Sequence, residues 1–450
     1  MSPDSPDLLD RVRQLRAATA YTAAREAARA GAASAGGGSR SVQLLIELGR
    51  LEEEFADYAA AGLVLARAAE LARHVPDAEE AGVWRARALV GLAAVRRAEA
   101  RPQDADPLLA EALELIGGHA GAAPGAVVEI LVEAGARRAE QADHAAAQAL
   151  FERAVAAADG SPAGRQRDDA RARALAALAG SFRMQGRFAE AEPLFRRALE
   201  LGESTFGDHS IEVAGICNDL AITFKFSGRF ADAKPLYRRA LGILSAAYGT
   251  EEHPDAASIY HNLGGLAHAA GDYAAAEAPA QRAVEIREAT LGADHVHSAA
   301  DRSALGSILD ALGRTEEAEP LFRQALAAFE RHYGADHYEV AVVLNNLGAI
   351  ERRRGNLDEA ESLYRRALAI KERLLGEDSP ETGFTLNNLA LVCRATGRPG
   401  EADALYRRAL HTFEQGLEPT HPATAKARAN LARLLRAGGR ETEAAGLETS

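Results

Sequence analysis

One phrase returns along this chain at a nearly fixed interval. It begins at Leu194 (LFRRAL), Leu236 (LYRRAL), Pro279 (PAQRAV), Leu321 (LFRQAL), Leu363 (LYRRAL) and Leu405 (LYRRAL), steps of 42, 43, 42, 42 and 42 residues. Weaker copies at Leu150 (LFERAV), Leu108 (LLAEAL) and Val64 (VLARAA) extend the series toward the N-terminus, giving nine units and a truncated tenth. A period of this size marks an array of like supersecondary units, so the 450 residues are not read as two or three independent globules.

Each unit has the same grammar. A first helix such as Val340 to Arg354 runs to Gly355, and a second spans about Leu357 to Leu375 before Gly376. Gly186, Gly228, Gly271, Gly313, Gly355, Gly397 and Gly439 all fall in the turn between the helices, where a left-handed backbone is least costly for glycine. Acidic segments ("GDHS", "EEHPD", "GADHYE", "GEDSPE") restart the next first helix. Asp336 with Glu339 has the spacing of a capping box, and Ser379 before Pro380 places a proline at the first helical position. His209, His253, His295, His337 and His421 recur once per unit just before the first helix; a whole repeat separates each pair, so they read as capping residues rather than metal ligands. Apolar positions such as Leu344, Leu347, Ala360, Leu363, Tyr364, Ala367 and Leu368 follow helical spacing. Neither helix can hide its apolar stripe alone, but stacked pairs can. The expectation is therefore an all-α solenoid with near-neighbour contacts and a curved inner face.

Composition narrows the setting. Lys+Arg 52 against Asp+Glu 65 gives a net charge of -13, which argues against nucleic acid or an anionic membrane as partner. No stretch approaches ~18 uninterrupted apolar residues, and the N-terminus lacks the apolar core of a signal peptide. Cys217 and Cys393 are far apart within apolar helical patterns, against a disulfide framework or thiolate metal site. A cytoplasmic, unexported chain is expected, without cofactor or metal. The bias toward arginine and alanine suggests a GC-rich genome.

At this point the residues resemble a known family. Leu347-Gly348, Gly355, Ala360, Tyr364 and Ala367 resemble the tetratricopeptide repeat, and the 42-residue length with "NNLA" and "LYRRAL" is similar to the kinesin light chain-like subtype found in many bacterial proteins. The resemblance is strong over about Asp168 to Arg440 and faint over Ser41 to Gly160. It implies a right-handed superhelix of antiparallel helix pairs and the binding of extended peptides along the concave face. The expected segments are an N-terminal helix (about Pro6 to Arg29) with a Gly/Ser-rich linker at 1–40, degenerate repeats at 41–160, well-formed repeats at 161–418, and a C-terminal partial repeat or cap at 419–450. The N-terminal helix either caps the first repeat or blocks the groove.

In such repeats the first helix faces the concavity. With the Leu-Gly or Leu-Ala pair as positions 7 and 8, the inward positions are about 2, 5, 6, 9, 12 and 13. Positions 5 and 6 carry Asn218 and Asp219, His261 and Asn262, Ser303 and Ala304, Asn345 and Asn346, Asn387 and Asn388, then Asn430. The resemblance implies that this amide ladder holds a peptide backbone; the alternative is that the asparagines bond to neighbouring helices and set the stacking angle. Seven asparagines cost about 4 kcal/mol of helix propensity, tolerable for either role. Position 12 carries Arg183, Lys225, His268, Asp310, Arg352, Arg394 and Arg436, with Arg353 at 13, Arg433 at 9 and Lys426 at 2. This basic lining favours an acidic peptide, a C-terminal carboxylate or a phosphate-bearing ligand. The Lys/Asn/Lys/Arg set of the carboxylate clamp in chaperone-binding members is not found.

The leading expectation is a monomeric interaction scaffold that captures an extended, acidic peptide segment. The runner-up is a ligand-sensing regulator whose superhelix changes on binding. A third reading, an enzyme using His261, His268 and Asp310, has a His-Asp grouping but no clear nucleophile.

Overall fold

The computed structural model describes residues 6–17, 20–33, 38–99, 101–117, 124–416 and 421–448. Among them are helices and one 3-10 turn, Pro102–Asp104, and no strand. Two compact units emerge, residues 1–271 and 272–450.

The first unit contains α1 (Pro6–Ala17), α2 (Tyr21–Ala32), α3 (Ser39–Glu54), α4 (Tyr58–Ala72), α5 (Ala78–Ala98), α6 (Asp106–Gly117), α7 (Pro124–Glu140), α8 (His144–Asp159), α9 (Arg165–Met184), α10 (Phe188–Phe206), α11 (Ile211–Phe226), α12 (Phe230–Tyr248) and α13 (Pro254–Ala269). The second contains α14 (Tyr273–Leu291), α15 (Val296–Ala311), α16 (Thr315–Tyr333), α17 (Tyr338–Arg354), α18 (Leu357–Leu375), α19 (Pro380–Ala395), α20 (Pro399–Gly416), α21 (Pro422–Ala437) and α22 (Glu441–Glu448). In chain order, α3 to α22 alternate as first and second helices of the expected units, the last ending in the short α22. Within each unit a helix packs chiefly on its sequence neighbours, with weaker contacts between successive first helices such as α17 with α19 and α19 with α21. That is the contact pattern of an all-α solenoid.

Small residues on first helices receive large ones from second helices. Phe322 and Tyr364 are buried to 1% and 0% exposure. A Cβ at Gly306 would come within 3.1 Å of the Phe322 ring, and one at Gly348 within 2.9 Å of the Tyr364 ring. Burying a side chain of Phe322's kind stabilises by about 1.5–3 kcal/mol. Gly355 and Gly397 sit at φ +87° and +76°, as the turn reading requires.

The histidines before the first helices are N-caps in four places. Nδ1 of His253, His295, His337 and His421 accepts the backbone N–H of Asp255, His297, Glu339 and Ala423 at 3.2, 3.2, 3.3 and 3.1 Å. At α11 the cap is Ser210, whose Oγ accepts the Val213 N–H at 3.3 Å, so His209 lies one residue too early. The capping box expected of Asp336 and Glu339 is likewise displaced: His337 is the cap, and Asp336 pairs with Arg373 at 2.9 Å.

The single N-terminal helix expected over Pro6 to Arg29 is instead two. Ala20 is non-helical at φ −90°, ψ 59°, and its N–H returns to the Leu15 carbonyl at 2.8 Å. Helix propensity is nearly uniform through this Ala-rich stretch, so the break follows from tertiary contact. It buries Tyr21 to 2% exposure, with its hydroxyl accepting the Ile211 N–H at 3.4 Å and its ring 6.4 Å from that of Tyr248. α2 packs on α3, with Arg25 on Glu52 at 2.6 Å and Arg29 on Asp57 at 3.2 Å, and also touches α12, so the segment meets both the first repeat and helices farther along the first unit. The glycine-rich link expected at 35–40 lies, for residues 35–37, outside the described residues.

Candidate functional site

The asparagine columns are the feature around which a site can be built. In the second unit Asn388 Nδ2 donates to Asn345 Oδ1 at 3.2 Å, and Asn430 Nδ2 donates to Asn387 Oδ1 at 3.0 Å. The rule is uniform: a position-6 amide donates to the position-5 amide of the preceding repeat. Asn262 to Asn218 follows it in the first unit at 2.9 Å. Asn346, whose predecessor at position 5 is Ser303, donates to Ser307 Oγ at 3.4 Å instead. The inter-repeat role weighed from the sequence is thus present. It uses one hydrogen-bonding group of each residue, while a primary amide offers two donors and two acceptor lone pairs.

Around these amides the second unit opens a cavity of about 400 Å³. Tyr338, Val342, Asn345 and Asn346 line it from α17, Glu381, Phe384, Asn387 and Asn388 from α19, and Ala423 and Lys426 from α21, with Lys371 of α18 and Phe413 of α20 behind. The position-2 column (Val342, Phe384, Lys426) and the position-5 and position-6 columns therefore share one surface. Phe384 is 37% exposed, its ring 5.0 Å from that of buried Phe413. Lys426 is exposed and has no ion pair among the described residues. Lys371 is buried, and its Nζ donates to the carbonyl and to Oε2 of Glu381, each at 3.2 Å. Burial pushes its pKa down and Glu381 opposes that shift.

Five of the sixteen candidate residues thus line this cavity: Asn345, Asn346, Asn387, Asn388 and Lys426. Asn430 bonds to Asn387 from behind, buried to 6% exposure. Arg352, Arg394 and Arg433 stand outside the lining, farther along α17, α19 and α21. Arg353 is committed to Asp310. Arg354 pairs with Glu316 at 3.0 Å and Glu319 at 2.5 Å. Tyr338, Lys371, Glu381, Phe384 and Phe413 were not singled out from the sequence, although Phe384 occupies the same column as Lys426.

The first unit holds the remaining candidates in a different environment. Asp219 lies 3.7 Å from Arg183, with burial pushing its carboxyl up and Arg183 pulling it down. Lys225 is half-buried, its Nζ 4.8 Å from the Phe226 ring centroid, and burial followed by Arg183 lowers its pKa. Asp219 and Arg183 border a cavity of about 520 Å³ whose wall is apolar (Val132, Ala136, Ala176, Ala177, Ile216). His261 and His268 are half-buried, and burial lowers the His268 pKa. The acid expected to serve these histidines is otherwise engaged: Asp310 belongs to the second unit, where Arg353 pairs with it and Thr315 Oγ1 donates to it at 3.2 Å. Glu361, Cys393 and Glu401 bring ligand atoms within 4.8 Å of one another, but Arg398 and Arg365 already neutralise both carboxylates. Among the described residues no helix is long and apolar enough to cross a membrane.

Comparison with known proteins follows the same lines. A tetratricopeptide repeat family model matches residues 170–246, 247–331, 339–415 and 385–449, and a second matches 303–374. No curated protein matches. Among solved structures, the chain is similar to a kinesin light chain-like protein of Podosopora anserina with nearly identical TPR-like repeats, at 25% identity over 44% of this chain and 94% of that one, TM-score 0.38. It is also similar to a Rap protein complexed with Competence and Sporulation Factor, at 12% identity over 90% and 99%, TM-score 0.54. The apo form of the quorum sensor NprR from B. thuringiensis aligns at 12% identity over 83% and 98%, TM-score 0.56. With more than half its length matched, the chain belongs to the tetratricopeptide repeat family.

Proposed function

We propose that the second unit captures an extended, acidic segment of a partner protein on its asparagine face, and that the chain acts as a monomeric cytoplasmic scaffold. The observation that carries this reading is the unused capacity of the ladder. Asn345 uses only its oxygen toward Asn388, which leaves both N–H donors, and Asn388 keeps its own oxygen. Both line the cavity. An extended peptide presents alternating N–H and C=O groups, the complement of that set. Phe384 supplies an apolar contact, and Lys426 favours a negative segment.

A pull-down and peptide-array binding experiment tests this. Wild type should retain acidic peptides over basic or scrambled ones, and Asn345→Ala/Asn388→Ala should lose them while keeping its helical circular dichroism. Equal retention by the variant would make the ladder purely structural.

A second reading has its own support. The amides that would meet a ligand through their free groups also join successive repeats through their bonded ones, so a ligand sits directly against the repeat junction. A ligand drawing on Asn345 and Asn388 would then alter the repeat stacking, as a ligand-sensing regulator requires. The Rap and NprR neighbours share the fold, and NprR is a quorum sensor.

A further inference from the structure

The first unit departs from the ladder rule. At positions 5 and 6, where α17 and α19 carry paired asparagines, α9 carries Ala176 and Ala177. Position 9 of the same helix is Gly180, and position 2 of α11 is Gly215. All four line the cavity of about 520 Å³ walled by α7, α9 and α11, with buried Phe151 of α8 behind and Met184, 51% exposed, at its edge.

Glycine weakens a helix interior, so each of these two needs a reason. Elsewhere in the array the reason is a ring: a Cβ at Gly135 would come within 2.5 Å of Phe151, as Gly306 and Gly348 make room for Phe322 and Tyr364. A Cβ at Gly180 or Gly215 would meet nothing within 4 Å. What these two glycines keep is the space itself.

The lining decides what that space admits. Its charged residues pair with one another, Arg97 with Glu140 at 2.6 Å, Arg173 with Glu212 at 3.4 Å and Arg183 with Asp219 at 3.7 Å, so no net charge is left to recruit an ion. An extended peptide is also poorly served, because against Ala176 and Ala177 its N–H and C=O groups would lose water and gain no partner. An uncharged apolar molecule has no such groups to desolvate and gains by burial. The volume lies within the range of about 300–1,000 Å³ typical of small-molecule sites, whose walls are likewise mostly apolar.

We propose that this cavity binds an uncharged, apolar small molecule. The site belongs to the first unit and owes nothing to the peptide reading of the second.

The test is fluorescence titration of the full chain with the neutral probe N-phenyl-1-naphthylamine and, separately, with its anionic analogue 8-anilinonaphthalene-1-sulfonate. Wild type should bind the neutral probe saturably and more tightly than the sulfonate. Gly180→Leu/Gly215→Leu fills the space and should weaken binding by about tenfold or more, while unfolding at or above the wild-type temperature because leucine is the better helix former. Gly242→Leu, at a glycine of α12 that also has nothing within 4 Å but lies outside the cavity lining, should leave binding unchanged. A second measurement needs no variant in the cavity wall: the chain has 2 methionines, Met1 and Met184, so in a chain labelled at the methionine methyls the Met184 signal should shift with probe occupancy. Absence of saturable binding by wild type overturns the proposal, as does an unmoved Met184 signal at saturation or unchanged binding by the double glycine variant. Tighter binding of the sulfonate overturns the assignment of an uncharged ligand. Sedimentation of the probe-free chain as a dimer that the probe dissociates would give the cavity to a second copy and overturn it as well.

Discussion

Asn430 Nδ2 donates to Asn387 Oδ1 at 3.0 Å, and the two residues are 6% and 8% exposed. Asn430→Ala strands a buried acceptor on Asn387, at a cost of about 1–2 kcal/mol. Replacing both by leucine removes the need for the bond, so the double variant should lose less than the sum of the single alanine variants. Urea unfolding of the four chains measures this, and additive losses would show that the two amides are not coupled.

Tyr406→Phe should raise the thermal midpoint of the ligand-free chain. The hydroxyl is buried with no partner, so deleting it removes a desolvation cost of up to about 1–2 kcal/mol while the ring remains in place. A drop in midpoint would mean that the hydroxyl has a partner after all.

Gly383 precedes Phe384 on α19, and a Cβ there would lie 2.1 Å from Thr412 Oγ1 and 2.8 Å from the Phe413 ring. Helix propensity alone favours Gly383→Ala by about 1 kcal/mol. Overpacking against two buried side chains should outweigh that, for a net loss of about 1–2 kcal/mol. A stabilised Gly383→Ala chain in denaturant titration would show that α19 and α20 can move apart at little cost.

The first unit should lose stability as the medium becomes alkaline. Burial, reinforced by Glu133 and Glu54, pushes the Glu53 carboxyl up to about 8; burial pushes Glu54 up to about 7 against the pull of Arg16. Both values exceed the unfolded one of about 4.3, so the folded chain binds the extra protons. Their contribution is complete below the unfolded pKa and disappears as pH rises through 7 to 8. Glu53→Gln should therefore flatten the fall in thermal midpoint between about pH 5.5 and pH 8.5 and be the more stable chain at the upper end. Parallel curves for the two chains would place Glu53 in water.

Much of this was legible in the sequence because the determinants are local and repeated. The second helix expected over Leu357 to Leu375 has those bounds, since glycines at 355 and 376 close both ends. The inward columns at positions 2, 5 and 6 reappear together around one cavity because helical spacing fixes which residues share a face. What failed to show depends on neighbours one repeat away or farther. Arg353 reads as a ligand-facing cation until Asp310 of the preceding repeat claims it. The break at Ala20 has no local signal, because its cause is Tyr21 meeting Ile211 and Tyr248 about two hundred residues on. Lys371 entered no column because it belongs to a second helix, yet its end reaches Glu381 at the rim of the site.

The histidine caps give the array a chemistry that aspartate or serine caps would lack. Each works only while Nδ1 is unprotonated, and burial holds His253 and His337 below the ordinary imidazole range. A depressed pKa contributes stability above the unfolded value, and that contribution is lost as pH falls through the folded one. Protonation of His253 and His337 then removes the caps of α13 and α17, at a pH below the ordinary imidazole range. Acidification therefore loosens such a chain at separate latches, fraying the starts of α13 and α17 while the buried tyrosine and phenylalanine layers still hold each helix pair together.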